Sequence, residues 1–191
     1  MSEWKKTFWG GVATLEYGKA VNYRGSNGTV PVYGTNGQIG FTDNQPLCNF
    51  SSVIIGRKGA YRGVHYSSVP FCVIDTAFYL KPINANSLDL KFSYYNLLTQ
   101  NINRLDSGSA IPSTSREDFY RLELLLPPID EQVKAVAVLS CLDRKISNLR
   151  QQNETLEKIA QTLFKHWFVD FEFPNEDGKP YRSSGGEMVR S

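Results

Sequence analysis

Histidine and cysteine are scarce in this 191-residue chain, two of one and three of the other. Cys48, Cys72 and Cys141 are far apart and odd in number, which excludes a disulfide framework and leaves no zinc-ligand spacing. His65 and His166 are as widely separated, so no metal-binding cluster can be written. Free thiols of this kind suit a reducing compartment, and the expected location is the cytoplasm. No apolar run is long enough to cross a membrane as a helix, and the N-terminal MSEWKKTFWGG lacks the apolar core of an export signal. Catalytic signatures are missing too. His65, Asp75 and Ser109 supply a triad on paper, yet no Gly-x-Ser-x-Gly elbow presents a nucleophile. No Walker loop ends in Gly-Lys-Ser/Thr, and no Gly-x-Gly-x-x-Gly opens a helix. An enzyme acting alone is not expected.

What is present is an ordinary globular composition, 41% hydrophobic and 21% charged, which excludes wholesale disorder. The formal charge of +2 hides an asymmetry: residues 1–128 carry 12 Lys+Arg against 9 Asp+Glu, giving +3, and residues 129–191 carry 9 against 10, giving −1. That is too little to announce a nucleic-acid binder by bulk charge. The signal is local. In "IIGRKGAYRG" (54–63), Arg57, Lys58, Tyr61 and Arg62 stand between Gly56, Gly59 and Gly63 with no carboxylate. By itself this reads equally as a solvated hairpin tip and as a surface for anions.

The texture up to about residue 128 is rich in Gly, Ser, Asn, Pro and aromatics. "TVPVYG", "SSVIIG", "FCVIDTAFYL" and "RLELLLPP" read as strands, and the Asn-Gly of "YGTNGQIGFTDN" marks a hairpin. "SLDLKFSYYNLLTQNINRL" steps by three and four through Leu88, Phe92, Tyr95, Leu98 or Ile102, and Leu105. One helix, capped by Asp89 or Ser87 and ended by "DSGS", is predicted there.

After Pro127-Pro128 the texture changes. From about Asp130 to Phe168 there is neither Gly nor Pro, and Asp130 and Glu131 fall in a first helical turn, where carboxylates suit the helix dipole. Ala135, Leu139, Leu142, Ile146, Leu149, Asn153, Leu156, Ala160, Leu163 and Trp167 form a heptad seam with a single polar interruption. A helix of about 40 residues would run about 60 Å, too long for a small core to cover. The seam is therefore read as a pairing face, the competing reading being a helix folded back on its own domain. The expected fold is α+β: a mixed domain over 1–128, a long coiled-coil helix over 129–170, and a flexible C-terminal tail over 171–191.

Several stretches in this order resemble the specificity (S) subunits of Type I restriction–modification enzymes. They are "PVYGTNGQIGFTD" (31–43), "IIGRKGAYRG", "VIDTAFYL" (73–80), "SGSAIPSTSREDF" (107–119), "LLPPIDEQ" (125–132) and "IAQTLFKHWFVDFEF" (159–173). The resemblance covers almost the whole chain, and the order and spacing are more specific than any one motif. It implies that residues 1–128 are a target recognition domain for double-stranded DNA, non-catalytic and without a cofactor of its own. Methylation and cleavage would belong to separate M and R subunits, which bind S-adenosylmethionine, ATP and Mg²⁺; in keeping with this, the Asn-Pro-Pro-Tyr/Phe motif of adenine methyltransferases is absent here. A complete subunit of the family carries two recognition units with antiparallel helices, whereas this sequence contains one. It is expected to be a half-length form that homodimerises through Leu139, Leu142, Ile146, Leu149, Asn153, Leu156, Ala160, Leu163 and Trp167, or else a fragment of a longer chain. A buried seam Asn is a register device of parallel pairs, so Asn153 leaves the helix direction open against the antiparallel analogy.

Under that resemblance the loop residues Arg57, Lys58, Tyr61 and Arg62 are the leading DNA contacts, as phosphate ligands or as guanidinium forks for guanine. Tyr33, Thr35, Asn36 and Gln38 offer side chains suited to adenine edges, and are also what a tight turn uses for its own backbone. Ser107, Ser109, Ser113, Thr114 and Arg116 supply small donors and a cation, or cap the segment that follows. Lys19 and Arg24 flank a loop as phosphate candidates. The alternative function is a protein-interaction module, a decoy that pairs with M or S subunits without binding DNA. Leu163, Phe164, Trp167, Phe168 and Phe171 exceed what one two-helix seam needs, and fit an M-subunit contact or packing at the end of the arm.

Overall fold

The computed structural model describes residues 4–25, 27–105 and 112–187. Among them the elements run β1 (Lys5–Phe8), β2 (Ala13–Tyr17), β3 (Val30–Gly34), β4 (Gly37–Thr42), β5 (Ser52–Gly56), β6 (Val64–Ser67), β7 (Cys72–Val73) and β8 (Ala77–Pro82). Then come α1 (Leu90–Leu98), α2 (Arg116–Tyr120), β9 (Glu123–Leu126) and α3 (Ile129–Phe164). The fold is α+β. Two compact units share α3, one up to Ala137 and one from Val138.

In the first unit the described strands form three sheets, β1-β9, β2-β8-β5-β6 and β4-β3-β7, antiparallel except for the parallel β3-β7 pair. Strand β5, SVIIG, is buried at every position. Successive side chains point to opposite faces, so Val53 and Ile55 enter a core with Trp9, Leu15, Phe78, Leu80 and Phe119, while Ile54 enters a second with Phe71, Val73 and Ala77. A strand covered on both faces reads as an unbroken apolar run.

Two sequence expectations are corrected. "FCVIDTAFYL" is not one strand: β7 and β8 are separate, because the chain turns at Ile74–Thr76, with Ala77 N–H donating to Ile74 O at 3.1 Å. The helix expected to reach Leu105 ends at Leu98 and is followed by a 3₁₀ turn, Ile102–Arg104, which drops Ile102 into the core. Its cap is Asp89, whose Oδ1 accepts from Phe92 N–H at 2.7 Å. β1, β2, β6 and α2 carry too few residues of clear period to be read from the sequence.

The start of α3 is bonded to the start of α1. Gln132 is fully buried; its Nε2 donates to Pro127 O at 2.8 Å and Ser87 O at 3.0 Å, and its Oε1 accepts from Asp89 N–H at 2.8 Å.

In the second unit α3 continues to Phe164 and passes into a π-helical turn, Lys165–Val169. From Leu139 to Phe168 the residues named for the seam are exposed in the single chain, Asn153 and Ala160 included. Within residues 171–187 several groups are bonded to one another. Phe173 stacks on Tyr181 at 4.7 Å, Asn175 Oδ1 accepts from the Asp177 and Lys179 N–H groups, and the Glu172 carboxylate accepts from Ser183.

Candidate functional site

The cationic loop is not a free tip. Gly56 N–H donates to Gly63 O at 2.8 Å, closing the loop on itself, and backbone bonds fix it on three further sides. Arg57 and Lys58 N–H donate to Thr76 O at 2.8 and 3.2 Å, Gly59 N–H to Pro112 O at 3.0 Å, and Gly63 N–H to Thr35 O at 3.1 Å. Thr114 N–H in turn donates to Arg57 O at 2.9 Å. The Thr35 hydroxyl lies 2.8 Å from Lys58 O and 2.6 Å from Thr76 O. Two glycines are required by this crossing. Gly59 sits at φ +119, and a Cβ on Gly56 would come within 2.9 Å of Arg62 and of Thr35 O. Five separate segments thus meet: 17–19, the β3–β4 turn at Thr35, 56–63, 73–76 and 112–116.

The cations have different fates. Arg57 Nη1 donates to Asp75 O at 3.1 Å, and its guanidinium carbon lies 4.9 Å from the centre of the Tyr17 ring. Arg116 approaches the same ring at 3.8 Å, so Tyr17 carries two guanidinium contacts. Lys58 Nζ pairs with Asp75 Oδ2 at 2.9 Å, and this ammonium holds the Asp75 carboxyl below its ordinary range. Arg62, expected as a surface contact, is instead buried at 2% exposure. Its Nη2 donates to Asn103 O at 2.8 Å, and its backbone N–H donates to Asn103 Oδ1 at 2.7 Å. Among the described residues its Nε and Nη1 have no partner. Tyr61, next to it, is 67% exposed beside a cavity of about 350 Å³ lined by Arg62, His65, Gln100 and Asn103.

The other candidates divide similarly. Asn36 and Gln38 are exposed on the β3–β4 hairpin, whereas Tyr33 packs edge-to-face with Phe71, ring centres 5.7 Å apart. Thr114 is buried, its hydroxyl donating to Gly56 O at 3.3 Å, and Ser113 forms a bridge with Lys58. Lys19 is exposed while its N–H donates to Val73 O at 2.8 Å, which brings it to the rim of the cluster. Arg24 is bridged to Phe41 on β4 instead. Ser107 and Ser109 lie outside the described residues. Sequence reasoning missed Tyr17 and Asn103. No local pattern marks either, since their partners lie 40 or more positions away along the chain.

His65 is half-buried, and burial lowers its pKa below the ordinary histidine value. Among the described residues no group of three or more His, Cys, Asp or Glu is placed to hold a metal, and no helix is long and apolar enough to cross a membrane.

A cationic, aromatic cluster on an α+β unit, followed by a long helix with an apolar seam, is the arrangement that the comparisons with known proteins address. The family model described as the Type I restriction modification DNA specificity domain matches residues 1–158. The chain belongs to that family. The MjaIX specificity subunit of a Type I restriction enzyme from Methanocaldococcus jannaschii is 39% identical over 92 residues, 46% of this chain and 21% of the relative. The HindI specificity subunit from Haemophilus influenzae is 32% identical over 106 residues, 52% of this chain and 23% of that one. In fold, the chain is similar to the crystal structure of a Type I restriction–modification S subunit from M. genitalium, with a TM-score of 0.73 at 22% identity. That likeness covers 88% of this chain and 46% of the other. This specificity-domain chain therefore spans less than half the length of each of these relatives.

Proposed function

We propose that the chain recognises double-stranded DNA by sequence, as the specificity component of a Type I restriction–modification system. The observation that carries this reading is the fixed cluster of Arg57, Lys58, Arg116 and Tyr17, with Lys19 at its rim and Asn36, Gln38 and Tyr61 exposed on adjoining turns. Its backbone is held from several segments, so cations and amides are presented in set positions; this supports base reading more than loose phosphate attraction. Lys19 and Arg116 are assigned to phosphates, Asn36 and Gln38 to base edges.

The 1–128 domain of each copy would read one half of a split target. Two copies joined through the α3 seam would set the gap between two inverted half-sites and position methyltransferase and restriction subunits over them, themselves catalysing nothing. This work belongs in the cytoplasm, where the DNA is. The exposed Phe164, Trp167, Phe168 and Phe171 support a second reading, a protein-interaction module that pairs with M or S subunits without DNA.

Titration of the purified chain into a random-sequence duplex library, followed by selection, separates the two readings. Recognition gives salt-dependent binding and an enriched motif, with log K falling by about 0.9 per log salt for each phosphate neutralised. A decoy gives neither.

A further inference from the structure

A carboxylate lies inside the cationic cluster. Asp75 pairs with Lys58 at 2.9 Å, and its backbone carbonyl accepts from Arg57 Nη1. Both side chains of the pair are open to solvent, Lys58 at 42% and Asp75 at 60%.

The pair is not what holds the turn. Thr76 O takes the Arg57 and Lys58 N–H groups, Ile74 N–H donates to Tyr33 O at 3.0 Å, and Ala77 N–H closes on Ile74 O. A solvent-exposed ion pair adds little to this backbone network. A surface made only to grip phosphates would do better without Asp75, because every phosphate drawn to Lys58 or Arg57 meets a fixed negative charge there. An ionised carboxylate only accepts hydrogen bonds. In the major groove the amino donors are cytosine N4 and adenine N6, and neither the sugar nor the phosphate of duplex DNA offers one.

We propose that Asp75 is a specificity-determining residue. It retains Lys58 and repels phosphates in sequence-independent encounters, and it accepts a hydrogen bond from an exocyclic base amino group when the correct base pair is presented. Lys58 then neutralises the adjoining phosphate. Discrimination arises as much from the penalty on wrong DNA as from the bond to the right one. The inference rests on the DNA-binding reading above.

The test compares the full chain with Asp75→Asn and Asp75→Ala, each checked for an unchanged thermal midpoint. Binding is measured to a random-sequence duplex across a salt series and then to duplexes selected by the wild type. Both variants are expected to bind random duplex several-fold tighter, with a salt slope steeper by about 0.9, one more phosphate. The ratio of selected to random affinity falls about ten-fold or more, within the range one base contact supplies. In Asp75→Ala the preference relaxes at one base-pair position. Weaker binding to all duplexes alike would make Asp75 a structural clamp and overturn the inference, as would unchanged slope and ratio. A wild-type chain that binds no duplex at any salt overturns the DNA reading itself, an outcome distinct from either.

Discussion

Three cations of one loop, Arg57, Lys58 and Arg62, have three environments. Arg57 stacks on an aromatic ring, Lys58 is paired at the surface, and Arg62 is enclosed. What separates them is where the loop crosses other segments: Asn103 meets Arg62 from 41 positions away, and Asp75 meets Lys58 from 17. The buried Arg62 therefore belongs to the support of the loop, and under the proposed function the charge offered to DNA falls to Arg57, Lys58 and Arg116. His65 gives a prediction at the same scale. Its folded pKa lies below the ordinary value because burial disfavours the charged ring. In the window between the two values the unfolded chain binds more protons, so stability is present above the ordinary value and is lost as pH falls through the window. The urea midpoint is expected to drop as pH falls through the ordinary histidine value of about 6.5 and below it, and His65→Gln to flatten that drop. An equal drop in the variant would assign the effect to other groups.

Among the elements, the first turn of α3 is fixed by one amide. Gln132 joins Pro127, Ser87 and Asp89, so the N-terminus of the long helix is registered against the cap of α1. Gln132→Ala leaves a buried N–H and two carbonyls without that partner and is expected to cost about 2–3 kcal/mol, read as a lower denaturation midpoint with an unchanged m-value. Gln132→Glu would keep the acceptor and lose the donor, and should be no better tolerated. If either variant matched the wild type, the amide would not be the joint. β5 shows the converse, an element whose sequence was legible because burial on both faces leaves no polar interruption.

At the scale of the molecule, α3 carries Leu142, Leu149, Leu156 and Leu163 seven residues apart, all exposed in the single chain. An apolar seam of that spacing is stabilised by a second helix. Light scattering across a concentration series is expected to give about twice the 21.6 kDa of the single chain. Leu149→Glu should return the mass to that of one copy while leaving the first unit folded. A single-copy mass for the wild type at high concentration would remove the self-pairing reading.

Legible in the linear string were the α+β class, the change of texture at Pro127-Pro128, a hairpin around Asn36-Gly37 and the apolar seam of α3. Those are properties of nearest neighbours and of periods of two and 3.6, which a linear string carries in full. It also drew attention to residues 54–63, since glycine and charge there are local facts. Packing in three dimensions is what breaks "FCVIDTAFYL" at Ile74–Thr76, makes Arg62 and Thr114 interior, and brings Tyr17, Asp75 and Asn103 to the loop. Apart from the local bond of Ala77 to Ile74, these depend on hydrogen bonds or ring contacts between segments 17 or more residues apart. Such contacts form when two cores close around β5, and no local pattern encodes which loops then meet at its end.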